Sequence, residues 1–190
     1  MRIVVFSGSF DPIHCGHAMM ANYLAQYSWA EQVWLLPSPL NPLKCSAPPA
    51  DFHHRLKMCR IVAEKCPGVE ASDFEERLPL PSYTLLTLRA LRDAYPEHDF
   101  RLVIGSDNWL CFDKWREPEA LIREFGLIVY PRPGFDVEPD VPTRVQVLRD
   151  APVAVISSTF VRHALAQGAD LNYFLDTDVI DYIKKHHLYV

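Results

Sequence analysis

Hydrophobic positions along the chain come in two patterns that take turns. Residues 2–6 form a short, nearly continuous apolar run, and the same signature returns at Val33–Leu36, Phe100–Ile104 and Leu127–Tyr130, with a weaker version at Val153–Ile156. Runs of four to seven apolar residues suit strands buried on both faces of a parallel sheet. Between them apolar residues recur at helical spacing. Residues 18–29 carry one such stretch, Asp51 stands where an N-cap belongs before another over 52–65, and 83–94 sets Leu85, Leu88 and Leu91 on one side. A last helix is expected over 176–187, where Val179, Ile180, Ile183 and then Leu188 would pack back on the sheet. Strand alternating with helix predicts an α/β fold: a doubly wound parallel sheet with helices on both faces.

The length of 190 residues fits one domain spanning 1–190. Five prolines fall between Pro37 and Pro49 and four more between Pro131 and Pro142, so both stretches read as long surface loops. With 49% hydrophobic and 23% charged residues there is enough apolar surface for a core and too little charge for a disordered chain. A net charge of −5 supplies no basic field for a phosphodiester backbone, which disfavours nucleic acid as a partner. The five cysteines include no C-x-x-C pair, and their odd number argues against a disulfide framework. No leader pattern and no apolar run of the roughly 20 residues a membrane span needs is present, so a soluble, cytoplasmic protein is expected.

Chemistry concentrates in Gly8-Ser9-Phe10-Asp11-Pro12-Ile13-His14-Cys15-Gly16-His17, between the first strand and the first long helix. His14 and His17 bracket Gly16 where a helix begins. Free backbone N–H groups, the positive end of the helix dipole and two imidazoles thus converge on a volume that suits an anion. Gly8 permits close approach of backbone to a bound group, and Pro12 stiffens the loop. A second string, Ile156-Ser157-Ser158-Thr159-Phe160-Val161-Arg162, follows the last expected strand. Ser157 is a candidate N-cap, and Ser158 and Arg162 share a helix face. Hydroxyls, amides and a guanidinium together suit a polyphosphate.

Four smaller features join these. Lys44, in the first proline-rich loop, could neutralise phosphates, and a solvated loop lysine would look the same. Pro81-Ser82-Tyr83-Thr84 opens a helix whose free amides could receive a carboxylate or phosphate, and a plain helix start is the alternative. Gly105 closes a strand at the expected ligand crevice, where Asp107 could accept hydrogen bonds from ribose hydroxyls or merely cap a turn. Trp115, beside Arg116, could stack on a pyridine ring or simply pack. His53-His54 and His186-His187 point about 100° apart within each pair on a helix, so neither pair chelates a metal and all four are expected at the surface.

The strings and their order resemble the HIGH-type nucleotidyltransferase superfamily and, within it, the bacterial nicotinate mononucleotide adenylyltransferases. The likeness runs from Val5 to the Tyr182-Ile183-Lys184-Lys185-His186 tail. Ser9 departs from the family's usual Gly or Thr, and Cys15 is a variable position. The resemblance implies a Rossmann-like sheet and transfer of the adenylyl group of ATP to nicotinate mononucleotide, giving deamido-NAD and pyrophosphate, with Mg²⁺ entering on ATP. It implies that His14, His17, Lys44 and Arg162 are catalytic. Gly8, Ser9, Phe10, His14, Gly16, His17, Gly105, Asp107, Ile156, Ser157, Ser158 and Arg162 would bind ATP. Ser9, Phe10, Lys44, Tyr83, Thr84, Leu85, Trp115 and Arg116 would bind the mononucleotide, and no resident metal site is implied. No arginine stands out as a partner for the pyridine carboxylate, so backbone N–H groups at Thr84–Leu85 and Trp115–Arg116 are expected to read it. Phosphopantetheine adenylyltransferase, a cytidylyltransferase or a silent nucleotide sensor are the alternatives, and association of like subunits stays open.

Overall fold

The computed structural model describes residues 1–39, 49–80, 83–138 and 140–190. Lys44, and Ser82 next to Tyr83, lie outside them. Six parallel strands, β1 (Arg2–Gly8), β2 (Gln32–Pro37), β3 (Val69–Ala71), β4 (Asp99–Gly105), β5 (Leu127–Tyr130) and β6 (Val145–Val147), run in the order β3-β2-β1-β4-β5-β6. Strand order therefore reverses between β1 and β4, the doubly wound topology that the alternating pattern predicts.

Period-two alternation along each strand divides the core. Val4 and Phe6 of β1, with Val33 and Leu35 of β2, face α1 (Cys15–Tyr27), α2 (Phe52–Ala63), α6 (Ser158–Ala166) and α7 (Thr177–Lys185) through Leu24, Met58, Val161 and Val179. Ile3 and Val5, with Trp34 and Leu36, face the opposite layer, where α3 (Thr84–Ala94) offers Leu85, Leu88 and Leu91 and α5 (Pro118–Glu124) offers Leu121. The short α4 (Ser106–Trp109) continues directly from β4.

Helix ends follow local chemistry. Asp51 accepts a hydrogen bond from the His53 N–H at 2.8 Å and Ser157 accepts one from the Phe160 N–H at 3.2 Å, so both sequence-predicted caps form. Helix α1 begins at Cys15, three residues before the periodicity suggests, because His14 occupies its N-cap. Gly126 follows α5 at φ +76°, a left-handed terminus where its Cβ-free backbone is needed.

One strand expectation needs correction. Val153–Ile156 is not a strand: Val155 is 86% exposed and the segment is irregular. The sixth strand is Val145–Val147, which pairs Leu127 with Val145. A short apolar run signals a segment with something to cover, and here the segment borders a cleft instead of joining the sheet. Edge strands β3 and β6 have three residues each, too few for a periodic signal.

Candidate active site

The carboxyl ends of β1 and β4 flank the switch point, and a cleft of about 1390 Å³ opens over them. Ser9, His14 and His17 of the first string line it, as do Ile156, Ser157, Ser158 and Arg162 of the second, together with Asp107. Residues nearly 150 positions apart thus meet in one volume. The Ser158 hydroxyl donates to the Pro12 carbonyl at 3.0 Å, and Arg162 Nη1 donates to the Asp11 carbonyl at 2.7 Å. Arg162 is thereby docked on the first loop.

The two histidines form a stacked pair with ring centroids 3.7 Å apart. The His14 N–H donates to His17 Nδ1 at 3.3 Å, so the neutral His17 ring carries its proton on Nε2. Only 4% of His14 is exposed, and its Nδ1 is enclosed with no hydrogen-bond partner among the described residues. Burial, and next the charge of Arg132, lower the His14 pKa to about 4. At neutral pH His14 is therefore a polar, uncharged hydrogen-bonding group.

The glycines act beneath the cleft rather than in its lining. A Cβ on Gly8 would meet the Phe10 ring at 3.1 Å, one on Gly16 would meet Ile156 Cγ2 at 2.8 Å, and one on Gly105 would meet Asp107 Oδ1 at 2.2 Å. Gly8 thus makes room for the Phe10 ring. Phe10 is itself 1% exposed, held at φ +45° with its ring against Phe6 and His17, so its part is to support the His17 ring.

Three contributors escaped the sequence reading. Arg132 lines the cleft, its N–H donates to Ser106 Oγ at 2.8 Å, and its Nε stands 4.0 Å from Asp107 Oδ1. Both of those side-chain atoms are enclosed without a hydrogen bond among the described residues, the condition of groups that await a polar partner. Its signal was its place just beyond β5, the same carboxyl-end rule that singled out Gly8 and Gly105; the surrounding prolines masked it. Arg55, 1% exposed, donates to the carbonyls of Ser9 at 2.6 Å, Ser38 at 2.8 Å and Ala50 at 2.8 Å, clamping three loop segments together. Asp11, 7% exposed, accepts from the Ala50 N–H at 3.1 Å. His54 is also a correction: it is half-buried, lines the cleft and bonds through Nδ1 to the Tyr182 hydroxyl at 2.8 Å, whereas it was expected at the surface.

Five residues of the expected mononucleotide set lie elsewhere. Tyr83 is the N-cap of α3, followed by Thr84, and Leu85 is a core residue at 1% exposure. The Arg116 guanidinium lies 4.6 Å above the Tyr83 ring, so a cation does stand beside that helix start, against expectation. Trp115 packs on Phe112, with its Nε1 enclosed and unpartnered among the described residues. None of these five lines the described cleft.

A family model described as Cytidylyltransferase-like matches residues 5–164. A Bacteroides fragilis protein named "Probable nicotinate-nucleotide adenylyltransferase" is 48% identical, over 90% of this chain and 85% of the relative. A Bacteroides thetaiotaomicron protein of the same name is 45% identical, over 98% of this chain and 92% of its own length. Among solved structures, the Plasmodium falciparum nicotinic acid mononucleotide adenylyltransferase complexed with NaAD superposes with a TM-score of 0.82 at 24% identity, covering 99% of this chain and 97% of that one. The same enzyme complexed with APC gives 0.80 at 23% identity, covering 99% and 96%. At such identities these two structures speak for the shared fold.

Proposed function

The chain belongs to the cytidylyltransferase-like family, in the company of nicotinate-nucleotide adenylyltransferases, and from that premise we propose that it joins ATP to nicotinate mononucleotide, releasing nicotinate adenine dinucleotide and pyrophosphate. The observation that carries the reading is the meeting of the stacked His14–His17 pair, Arg132 and the Ser157–Arg162 helix start in one cleft at the switch point. Imidazoles, guanidinium groups and free helix amides are donors suited to phosphate oxygens.

The nucleophile is a phosphate oxygen of nicotinate mononucleotide, already an anion, so the α-phosphorus of ATP can be attacked in line without a general base. One P–O bond forms to the incoming phosphate and one breaks to pyrophosphate. Catalysis consists of positioning and of stabilising charge on the α-phosphoryl oxygens and the leaving group. A histidine with a pKa of about 4 is unprotonated near pH 7, so His14 is assigned a hydrogen-bonding role and not the role of an acid. His17, Arg132, Ser158 and Arg162 are assigned to the phosphates, Lys44 to the transferred group, and Asp107 to the ribose. Among the described residues no cluster of three His, Cys, Asp or Glu side chains is arranged around a metal, and the donors facing the cleft are mostly cationic or neutral. Mg²⁺ is assigned to the substrate, held by ATP oxygens and water. The mononucleotide's pyridine is assigned to Tyr83, Thr84, Trp115 and Arg116.

Pyrophosphate release from ATP with nicotinate mononucleotide, nicotinamide mononucleotide or phosphopantetheine tests the assignment. Turnover is expected with the first and strongly reduced with the second. Turnover with phosphopantetheine alone would overturn it.

A further inference from the structure

Just beyond α7 the chain folds back over the first loop. Tyr189 lines the cleft, and its hydroxyl donates to Asp11 Oδ1 at 2.8 Å, a contact between residues 178 positions apart. The Tyr189 backbone sits at φ +63° and that of His187 at φ +50°, both in the left-handed region that residues with a Cβ avoid. Such conformations cost on the order of 1 kcal/mol each and persist where surrounding contacts impose them. Here they bring the phenol ring onto Asp11. Burial and the adjacent carboxylate push the Tyr189 pKa up, so the phenol stays a donor across the working range.

Asp11 is the point where this contact matters. Its Oδ1 takes two hydrogen bonds, from Tyr189 and from the Ala50 N–H, while Oδ2 stands 3.6 Å from Arg162 Nη1. That separation is too long for a strong charge-assisted bond. Arg162 is held instead by the Asp11 carbonyl at 2.7 Å and, more loosely, by Thr159 Oγ1 at 3.4 Å. The guanidinium is anchored at its edge while its remaining N–H groups stay available.

We propose that Tyr189 is a positioning residue for adenylyl transfer: by occupying Asp11 Oδ1 it keeps that carboxylate from swinging into a two-pronged pair with Arg162, and so leaves Arg162 ready for the polyphosphate of ATP. The inference rests on the nucleotide reading of the cleft and adds to it a group that touches no substrate. Without the hydroxyl, Asp11 turns and grips the guanidinium in the fork geometry that carboxylates and arginines favour. The incoming polyphosphate then has to break that pair.

The test compares Tyr189→Phe and Tyr189→Ala with the unmodified protein. Losing one hydrogen bond's worth of positioning should raise KM for ATP by about three- to tenfold. KM for nicotinate mononucleotide should stay within twofold, and calorimetric Kd for pyrophosphate alone should rise in step with KM for ATP. The Phe and Ala variants should share the ATP defect, since both lack the hydroxyl. If Phe behaves as wild type and only Ala is impaired, the ring's packing is what matters and the proposal is overturned. Equal rises in both KM values would overturn it too. The pyrophosphate titration needs no turnover, so an inactive wild type that still shows the Phe-dependent loss of pyrophosphate affinity would contradict the substrate reading and leave the positioning role standing.

Discussion

Gly16→Ala adds a single methyl group at the tightest point beneath the histidine pair. The new Cβ would lie 2.8 Å from Ile156 Cγ2, which is 0.6 Å short of the 3.4 Å where ordinary contact begins, and 3.2 Å from His14 Nδ1. Neither neighbour can give freely. Ile156 precedes the Ser157 cap of α6, and His14 is itself the N-cap of α1 and is stacked on His17. Relief therefore separates the two strings that form the cleft. Overpacking costs about 1–3 kcal/mol, and alanine in a helix returns about 1 kcal/mol relative to glycine, so the net loss is about 0–2 kcal/mol. For a chain of this size that is at most roughly 8 °C in Tm. Activity should suffer far more, because a displacement of about 1 Å in a positioned group costs about 10²-fold, so 0.6 Å should lower kcat/KM by about 10- to 10²-fold. Thermal melting followed by circular dichroism, beside pyrophosphate-release kinetics, separates the two effects. A variant with wild-type kcat/KM would refute the claim that close approach of the two strings sets the catalytic geometry.

Arg132→Met should raise KM for ATP about tenfold through the loss of a charge-assisted contact, and it should raise the His14 pKa, because the Arg132 charge helps to hold it down; an unchanged His14 titration by NMR would contradict the contact. The His14 pKa also sets an acid limit. Since the native pKa is about 4 against an ordinary 6.5, the unfolded chain takes up a proton first as pH falls, so this contribution is intact above pH 6.5 and is lost between about 6.5 and 4. His14→Asn should remove that segment of the Tm–pH curve, and parallel curves for variant and wild type would show that His14 is not its source. For the mononucleotide, donors without an acceptor for an amide N–H should favour nicotinate over nicotinamide by about 10²-fold in kcat/KM, and Arg116→Ala should cut that ratio if the guanidinium stacked on Tyr83 supplies part of the preference.

What could be read from the chain depended on whether the chemistry was contiguous. The Gly8–His17 string carries its strand end, loop, N-cap and both imidazoles in ten consecutive residues, so composition and placement could be judged together. The Ser157 cap was legible for the same reason. Arg132 and Asp11 were not, because their importance lies in partners far along the chain: Asp11 acquires its role from Ala50, Arg162 and Tyr189. Arg55 is one polar residue within the 52–65 stretch, and only the fold brings three loop carbonyls to it. The four-residue run Val153–Ile156 looked like a strand because apolar character alone does not say whether a sheet or a cleft receives it.

Direct attack of the mononucleotide phosphate on the α-phosphorus of ATP fixes where each phosphate oxygen ends, and oxygen labelling tests it. Nicotinate mononucleotide carrying ¹⁸O in its phosphate is incubated with the protein, ATP and Mg²⁺, and both products are examined by mass spectrometry. Direct attack yields nicotinate adenine dinucleotide that retains the whole label and pyrophosphate that carries none. Label in the pyrophosphate, or consumption of ATP with no dinucleotide formed, would contradict it.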